Sequence, residues 1–261
     1  MSILECFDDA RYAQLAVARA KDYANAHPYQ HVVIDDFLPN DVAVELAKYF
    51  PRVGSDSLDT WKYHDNENTV RWFLDDSSRL PMPLREFAAA TSGRTFLQFL
   101  ATLTGMKHLI PDPYFIGGGA MVTAKGGFLD VHADFNWHAP LQAWRRANAL
   151  FYLTPDWENR WGGELELWSL DGREKIRSVE PRFNRVVIFS TRSDTFHGQP
   201  IPLTCPPEVS RNIFSAFYYA TESVEGIESD PHFTKYSIDK SPYGTSVFSE
   251  YREIGDSQND V

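Results

Sequence analysis

Three residues of the sequence have the types and the spacing expected of a metal centre. His132 and Asp134 are two positions apart in the segment GFLDVHADFNWH, and His197 follows later in the segment IFSTRSDTFHGQP. On a β-strand, residues i and i+2 project from the same face, so the imidazole and the carboxylate would converge. Two histidines and one carboxylate can hold a non-haem Fe(II) and leave positions open for other ligands. The sequence therefore predicts such a site, although a lone His-x-Asp pair is also common next to surface turns.

A basic residue on a strongly β-prone segment indicates a ligand that could accompany the metal. Arg211 is followed by Ile213, Ser215 and Phe217 on the same side of the predicted strand. A guanidinium inside a barrel is costly unless it meets a carboxylate, and a small dicarboxylate could accept two parallel hydrogen bonds from it. Ser215 and Tyr152 could each add a hydroxyl group. Alternation alone leaves the opposite orientation open, with Arg211 in solvent and the other face of the strand directed inward.

The elements that must position these residues fall into two parts of the chain. Hydrophobic periodicity predicts helices over residues 8–25, from Pro39 onward, over 84–90 and over 93–105, with a short strand at 32–37. From about residue 113 the sequence changes to short runs of β-branched and aromatic residues separated by turn residues. Strands are predicted near 114–124, 127–132, 148–154, 164–169, 174–180, 185–190, 195–199 and 211–220. This pattern predicts a mainly β antiparallel sandwich or barrel with the N-terminal helices packed on one sheet.

The length and composition of the chain favour one domain. The 261 residues are 43% hydrophobic and 14% aromatic, which is enough apolar material for a sizeable core. We expect a single domain over 1–261, in which 1–112 form a mostly helical support with a possible lid and 113–220 form the barrel. Residues 221–261 are expected to be an irregular tail.

Charge and cysteine content limit the partners and the compartment. The chain has 25 basic and 36 acidic residues, a formal net charge of −11, and no basic cluster, which argues against nucleic acid and against an anionic membrane. Its 2 cysteines form neither a disulfide framework nor a metal knuckle. The N-terminal residues lack a secretory apolar core, and no apolar run is long enough to span a bilayer. We therefore expect a cytoplasmic protein; the sequence leaves its oligomeric state open.

The motifs together resemble a known family. The segments GGFLDVHADFNWH, RRANALFYLTPDWENRWGGELELW and FNRVVIFSTRSDTFHGQPIPLTCPPEVSRNIFSAFYY are similar, in order and content, to the Fe(II)/2-oxoglutarate-dependent oxygenases, in their prolyl-4-hydroxylase-like branch. The resemblance covers residues from about 114 to 220. The segment at 31–51 also resembles the strand and helix that precede the barrel in these proteins.

The resemblance implies a fold, a reaction and a set of cofactors. The fold would be a double-stranded β-helix, a jelly-roll or cupin-like barrel, with Fe(II) held by His132, Asp134 and His197. Arg211 would bind the distal carboxylate of 2-oxoglutarate, with Tyr152 as a hydroxyl donor. The implied reaction hydroxylates an unactivated C–H bond with O2 and releases succinate and CO2, with ascorbate as a supporting reductant. The implied substrate is an amino acid, a peptidyl residue such as proline, or a biosynthetic small molecule.

Two departures from the family pattern affect the implied cosubstrate site. The basic residue is an arginine where collagen-type prolyl hydroxylases have a lysine. The interval between His197 and Arg211 is longer than usual and contains the segment LTCPPEVS. Arg185 and Arg192 are therefore alternative candidates for the carboxylate-binding residue.

Two other functions compete with this interpretation. A cupin-like metalloenzyme without 2-oxoglutarate would use the same barrel but would need no internal arginine, so it would tolerate Arg211→Ala. A barrel that has lost its chemistry and serves as a binding module would not need an intact set of metal ligands.

Candidate substrate-binding residues come from two segments. Residues 60–76 lie outside the eight predicted strands, and their aromatic and polar residues, including Trp61 and Arg71, suit a lid over the barrel mouth. The alternative is an exposed hairpin whose tryptophans pack on the helices. Asn136 and His138 follow the predicted metal pair, and each could either contact substrate or cap its own loop.

Overall fold

The computed structural model describes residues 2–8, 10–222 and 230–237 of the chain. Its α-helices are α1 (Arg11–Ala24), α2 (Asn40–Ala47), α3 (Asp56–Asp59), α4 (Met82–Ser92) and α5 (Arg94–Thr104). The first strands are β1 (His31–Ile34), β2 (Lys62–Asn66), β3 (Thr69–Leu74), β4 (Ile110–Pro111), β5 (Gly119–Ala124), β6 (Leu129–Ala133) and β7 (Trp137–His138). They are followed by β8 (Ala143–Tyr152), β9 (Leu165–Trp168), β10 (Lys175–Val179), β11 (Arg185–Ser190), β12 (His197–Gln199), β13 (Ser210–Ala220) and β14 (Lys235–Tyr236).

The strands form one antiparallel sheet that curls into a nearly closed barrel. Its main strand order is β1-β11-β8-β13-β5-β3-β6-β12-β9-β10, with β2, β4, β7 and β14 attached to it. The two ends of this order approach each other, because Nη1 of Arg177 on β10 lies 2.7 Å from Nε2 of His31 on β1. The predicted barrel with N-terminal helices is confirmed, and each of the eight predicted strands corresponds to a strand of this sheet.

Both faces of the longest strand, β13, are buried, but one packs against the helices and the other lines the barrel interior. Phe214 and Tyr218 project from the outer face into the core formed with the helices, where Phe214 contacts Phe87 of α4 and Tyr218 contacts Phe96 of α5. The residues that alternate with them, including Arg211 and Ser215, line the barrel interior. The helical layer therefore covers the outer face, and the arginine is directed inward.

The helical layer is built on amphipathic sequence. In α5, Phe96, Phe99, Leu100 and Leu103 are buried and recur at helical spacing. The helix ends at Gly105, whose φ of 73° places it in the left-handed region that glycine adopts most easily. The predicted helix over 93–105 is confirmed, and it ends at Gly105 as predicted.

Residues 60–76 do not lie outside the sheet, contrary to the sequence-based expectation. They form the hairpin β2–β3, whose turn is fixed by the Asn66 side chain accepting hydrogen bonds from the backbone N–H groups of Asn68 and Thr69. Trp72 and Phe73 of β3 pair with Val122 and Met121 of β5, so β3 is an integral strand of the barrel.

The predicted tail at 221–261 falls mostly outside the described residues. Of this range the structure describes 221–222 and 230–237, and within the latter Lys235–Tyr236 form β14, which pairs with β6. Within the described parts of the chain, no helix has both the length and the apolar character needed to cross a bilayer.

Candidate metal centre and the adjoining cavity

His132, Asp134 and His197 converge at one point of the barrel. Strand β12 pairs with β6 so that His197 lies directly opposite His132. Nε2 of His132 lies 3.4 Å from Oδ1 of Asp134, and Nε2 of His197 lies 3.5 Å from Oδ2 of the same carboxylate. The three potential ligand atoms lie within 4.8 Å of one another, which is close enough for a single cation to contact all three.

The backbone fixes the orientation of both imidazole rings. Nδ1 of His132 lies 2.7 Å from the carbonyl oxygen of Asp130, and Nδ1 of His197 lies 3.3 Å from that of Thr195. Since a carbonyl only accepts, Nδ1 of each neutral ring carries the proton, and the lone pair of Nε2 points into the site. This is the arrangement typical of metal-binding histidines.

Gly198 allows the two histidine strands to approach each other. A Cβ atom at this position would lie 2.9 Å from the carbonyl oxygen of Asp130 and 2.9 Å from Cα of Val131. Any larger residue would therefore push β12 away from β6. The glycine next to His197 maintains the distance between the two rings.

Asp134 is held by two donors from β8. Nδ2 of Asn148 donates to Oδ2 of Asp134 at 2.9 Å, and Nη2 of Arg145 lies 3.1 Å from the same oxygen. Arg145 also donates from Nε and Nη2 to Oδ1 of Asn148, at 3.1 and 3.0 Å, which orients the amide toward the carboxylate. The guanidinium carbon lies 3.5 Å from the ring centre of Phe217. Asp134 is thus fixed by a buried network.

The electrostatic environment prepares these groups for a cation. Burial alone raises the pKa of Asp134, but Arg145, His197 and His132 outweigh it and hold the pKa well below its ordinary range. Burial is the main cause of the lowered pKa of His197, about 4. A carboxylate that stays ionised and an imidazole that stays neutral are the protonation states that a metal requires of its ligands. The donor set of two imidazole nitrogens and one carboxylate oxygen therefore fits Fe(II).

A cavity adjoins the three residues and contains the predicted carboxylate-binding group. Arg211, Tyr152 and Ser215 all line it. Arg211 is 7% exposed and donates from Nη1 to the carbonyl oxygen of Gly163, while its Nε and the hydroxyl of Ser215 have no hydrogen-bond partner among the described residues. Burial lowers the pKa of Arg211 to about 10, so the group stays charged at neutral pH. Burial raises the pKa of Tyr152 to about 12, so its hydroxyl keeps its proton. These buried donors suit a carboxylate ligand.

The two alternative arginines are occupied elsewhere. Arg185 donates from Nε and Nη2 to the carboxylate of Asp35, at 2.5 and 3.0 Å. Arg192 donates from Nε and Nη2 to Asp194, at 2.9 and 3.2 Å. Neither is among the described residues that line the cavity, so Arg211 suits a ligand there better than either of them.

The four candidate substrate residues lie in different environments. Arg71 of β3 lines the cavity. Trp61 is buried in the helical core, with its ring 6.4 Å from that of Phe50. His138 accepts a hydrogen bond from the backbone N–H of Leu141 and thereby caps its own loop. Of the four, the structure brings only Arg71 to the site among the described cavity-lining residues.

Asn136 has a structural role that the sequence did not indicate. Its amide donates to the carbonyl oxygen of Asp230 at 3.0 Å and accepts from the backbone N–H of His232 at 2.7 Å. It thereby fastens the described C-terminal segment to the loop after β6. A few residues later, Tyr236 pairs with His132, and their ring centres are 5.6 Å apart. The segment 230–237 therefore lies beside His132, one of the candidate metal ligands.

Sequence reasoning missed Asn148 and Arg145. A signal for Asn148 was present, since Asn148, Leu150 and Tyr152 alternate on one face, and Tyr152 had been assigned to the interior. Arg145 is an odd number of residues from Asn148, so simple alternation would place it on the other face of β8. It reaches the cavity because the pairing between β8 and β13 shifts between Tyr218 and Tyr219. Such an irregularity reverses the alternation, and no local sequence pattern indicated it.

Comparison with known proteins agrees with this geometry. Residues 118–219 match the family model of the 2OG-Fe(II) oxygenase superfamily. The chain is 25% identical over 224 residues to a mouse protein, prolyl 3-hydroxylase OGFOD1, and the match covers 83% of this chain but 36% of the mouse protein. This chain thus spans about a third of the length of that relative.

Solved structures share the fold. A prolyl hydroxylase from Trichoplax adhaerens, in complex with a peptide fragment of a hypoxia-inducible factor, matches with a TM-score of 0.53 and 16% identity, over 80% of this chain and 90% of that one. A prolyl-4-hydroxylase from Pseudomonas putida matches with a TM-score of 0.52 and 18% identity, over 78% and 98%. The barrel, the histidine and aspartate cluster and the match of residues 118–219 agree with one another: the chain is similar to the 2OG-Fe(II) oxygenase superfamily and, within it, to proteins named as prolyl hydroxylases.

Proposed function

We propose that this chain is an Fe(II)- and 2-oxoglutarate-dependent dioxygenase that hydroxylates an unactivated C–H bond. One observation carries the proposal: His132, Asp134 and His197 converge beside a cavity in which Arg211 and Ser215 present buried donors without partners. Burying an arginine at this position is costly unless a carboxylate pairs with it, and a metalloenzyme without a dicarboxylate cosubstrate would supply none.

Each group has a role that follows from its geometry. His132, Asp134 and His197 would hold the metal, and Arg211, Ser215 and Tyr152 would bind the distal carboxylate of 2-oxoglutarate. When bound, Fe(II) with 2-oxoglutarate and O2 supplies the oxidising chemistry, which yields succinate, CO2 and a hydroxylated substrate. Arg145 and Asn148 keep Asp134 ionised and oriented, and the apolar lining, including Leu150, Leu165 and Ile213, excludes water from the reacting groups. Ascorbate would serve to keep the iron reduced.

The preferred substrate in this proposal is a prolyl residue of a peptide or protein. The support is the similarity to proteins named as prolyl hydroxylases, one of which is described with a peptide bound. Free amino acids and biosynthetic small molecules are the alternative. We further propose that 1–261 act as a single oxygenase domain and that the protein is cytoplasmic, since the buried Cys6 and Cys205 are both free thiols, as is usual in a reducing compartment.

The test is an assay of succinate formation by the Fe(II)-loaded protein with O2, 2-oxoglutarate and a panel of prolyl peptides and free amino acids. We expect at least one substrate to stimulate succinate formation stoichiometrically with its own hydroxylation. His132→Ala should abolish both Fe(II) binding and turnover. Full Fe(II) binding by His132→Ala, or full activity of Arg211→Ala, would refute the assigned roles, and the latter would favour a cupin-like enzyme without 2-oxoglutarate.

A further inference from the structure

Besides Arg211 and Arg145, Arg71 also lines the cavity, and the proposed cosubstrate site does not use its charge. Trp72 of β3 pairs with Val122 of β5, so Arg71 comes next to the position of Thr123. On the other edge of β5, Thr123 pairs with Arg211. Arg71 and Arg211 therefore approach Thr123 from its two sides, with their Cα atoms two strand spacings, or about 10 Å, apart. All three residues line the cavity.

The guanidinium of Arg71 makes few hydrogen bonds within the described structure. Nη1 of Arg71 lies 3.5 Å from the sulfur of Met121, which is a weak acceptor. Its Nε is buried and has no hydrogen-bond partner among the described residues. Burial lowers the pKa of Arg71, while Tyr236 and Asp134 act in the opposite direction, which places the guanidinium within electrostatic reach of both. A half-buried cation whose Nε is buried without a partner is suited to an anionic ligand.

The charges of the residues that line the cavity also favour an anionic ligand. Among its described lining residues, Arg71, Arg145 and Arg211 are cationic, and Asp134 is the acidic member. Arg145 is paired with Asp134, and among the described lining residues no other carboxylate is available to Arg71 or Arg211. A divalent metal adds two positive charges, and 2-oxoglutarate brings only two negative ones. Positive charge would remain in excess even in the loaded site, which favours carboxylates bound in this cavity.

We propose that Arg71 is a carboxylate-binding residue of this cavity, acting beside Arg211. The inference rests on the proposed function and extends it. The carboxylate has two possible sources: 2-oxoglutarate itself, or an acidic substrate such as a free amino acid or a peptide with an acidic residue beside the reacting one. In the first case Arg71 sets the cosubstrate affinity, and in the second it sets substrate specificity.

The first arm of the test measures cosubstrate binding without turnover. Mn(II)-loaded protein is titrated with 2-oxoglutarate by calorimetry for the unmodified chain, Arg71→Gln and Arg71→Lys. If 2-oxoglutarate is the source, Arg71→Gln should weaken binding about 10- to 100-fold, the range for a lost hydrogen bond to a charged group. Arg71→Lys should weaken it less, because it keeps the charge but loses the planar fork. Arg182→Gln, whose side chain pairs with Asp35 at the surface, is the matched control and should bind normally.

The second arm measures substrate binding to the protein loaded with Mn(II) and 2-oxoglutarate. The probes are matched acid and amide pairs: L-proline and prolinamide, N-acetylproline and its amide, and prolyl peptides with aspartate or asparagine next to the proline. If the substrate is the source, the unmodified protein should bind the acid of at least one pair about tenfold or more tightly, and Arg71→Gln should remove that preference while leaving 2-oxoglutarate affinity unchanged.

The outcomes separate this inference from the proposed function. Unchanged 2-oxoglutarate affinity in Arg71→Gln, combined with no acid preference or an acid preference that survives the substitution, overturns the role of Arg71 alone. Failure of the unmodified metal-loaded protein to bind 2-oxoglutarate overturns the proposed function, and this inference with it. Circular dichroism and thermal unfolding establish that each variant is folded, so that a loss of binding reports on the cavity.

Discussion

Asn148 offers a direct test of how the barrel holds its proposed metal ligand. The side chain donates to Oδ2 of Asp134 at 2.9 Å and accepts two hydrogen bonds from Arg145. Replacement of Asn148 by alanine removes a donor to the carboxylate without changing the charge of the site. An arginine replacement would be harder to interpret, because removing a nearby positive charge favours cation binding while losing the orientation of Asp134 opposes it.

The expected size of the effect follows from these contacts. Loss of a group that orients a metal ligand typically lowers metal affinity about 10- to 100-fold. Asn148→Ala also removes the acceptor of the buried Arg145 Nε, while Nη2 keeps Asp134, and this loss should cost about 1–3 kcal/mol of folding stability. The two effects are separable, since the first is measured on folded protein well below its unfolding temperature.

The assay is an anaerobic titration of the metal-free protein with Mn(II) or Fe(II), in which calorimetry measures the metal affinity. Asn212→Ala is the matched control, because Asn212 lies on the opposite face of β13 from Arg211 and is not among the described residues lining the cavity. We expect the control to bind metal as the unmodified protein does. A folded Asn148→Ala variant whose affinity lies within about twofold of normal would show that Asp134 needs no such support, against the general expectation for metal sites.

Three further predictions concern single residues. Arg211→Lys should raise the apparent 2-oxoglutarate requirement about tenfold or more, measured as its KM in succinate formation, because lysine keeps the charge but cannot make two parallel hydrogen bonds; an unchanged KM would contradict this. Gly198→Ala should lower metal affinity at least about tenfold in a folded protein, since its Cβ would collide with the backbone of β6 and displace His197. Burial lowers the pKa of His31 from 6.5, so the unfolded chain binds the extra proton and stability should fall as the pH drops below 6.5. Urea unfolding between pH 7.5 and 5 should show this loss, and His31→Gln should reduce it.

The candidate metal ligands could be predicted from the sequence because their geometry is largely local. His132 and Asp134 lie on and just after one strand, and the alternation of that strand brings them to one face. His197 needed only one further assumption, that its strand pairs with β6. Arg211 was harder, since alternation offered two faces and both are buried in the structure. Only the helices that cover the outer face, against Phe214 and Tyr218, decide the matter.

The residues that support these ligands depend on interactions between distant strands. Arg145 faces the cavity because the pairing of β8 with β13 shifts beside it, and a shift in pairing leaves no mark in the local hydrophobic pattern. The composition of residues 60–76 suits either a lid over the barrel mouth or an exposed hairpin packed on the helices, and neither interpretation predicts a barrel strand. In the structure, β3 lies between β5 and β6 in the barrel, and so Arg71 reaches the interior from within the sheet.

The position of the described C-terminal segment could not be predicted from its composition. Residues 230–237 are polar and lack periodicity, so the sequence predicted an irregular tail. The Asn136 amide donates to the carbonyl oxygen of Asp230 and accepts from the backbone N–H of His232, and these bonds, with the pairing of Tyr236 and His132, attach this segment beside the candidate metal ligands. Ser237 extends the attachment, since its backbone N–H donates to the carbonyl oxygen of Val131 at 2.8 Å. A segment of two paired residues has too little sequence to carry a strand signal. It is held by pairing with the part of β6 that β3 does not reach and by Asn136, two residues after a candidate metal ligand.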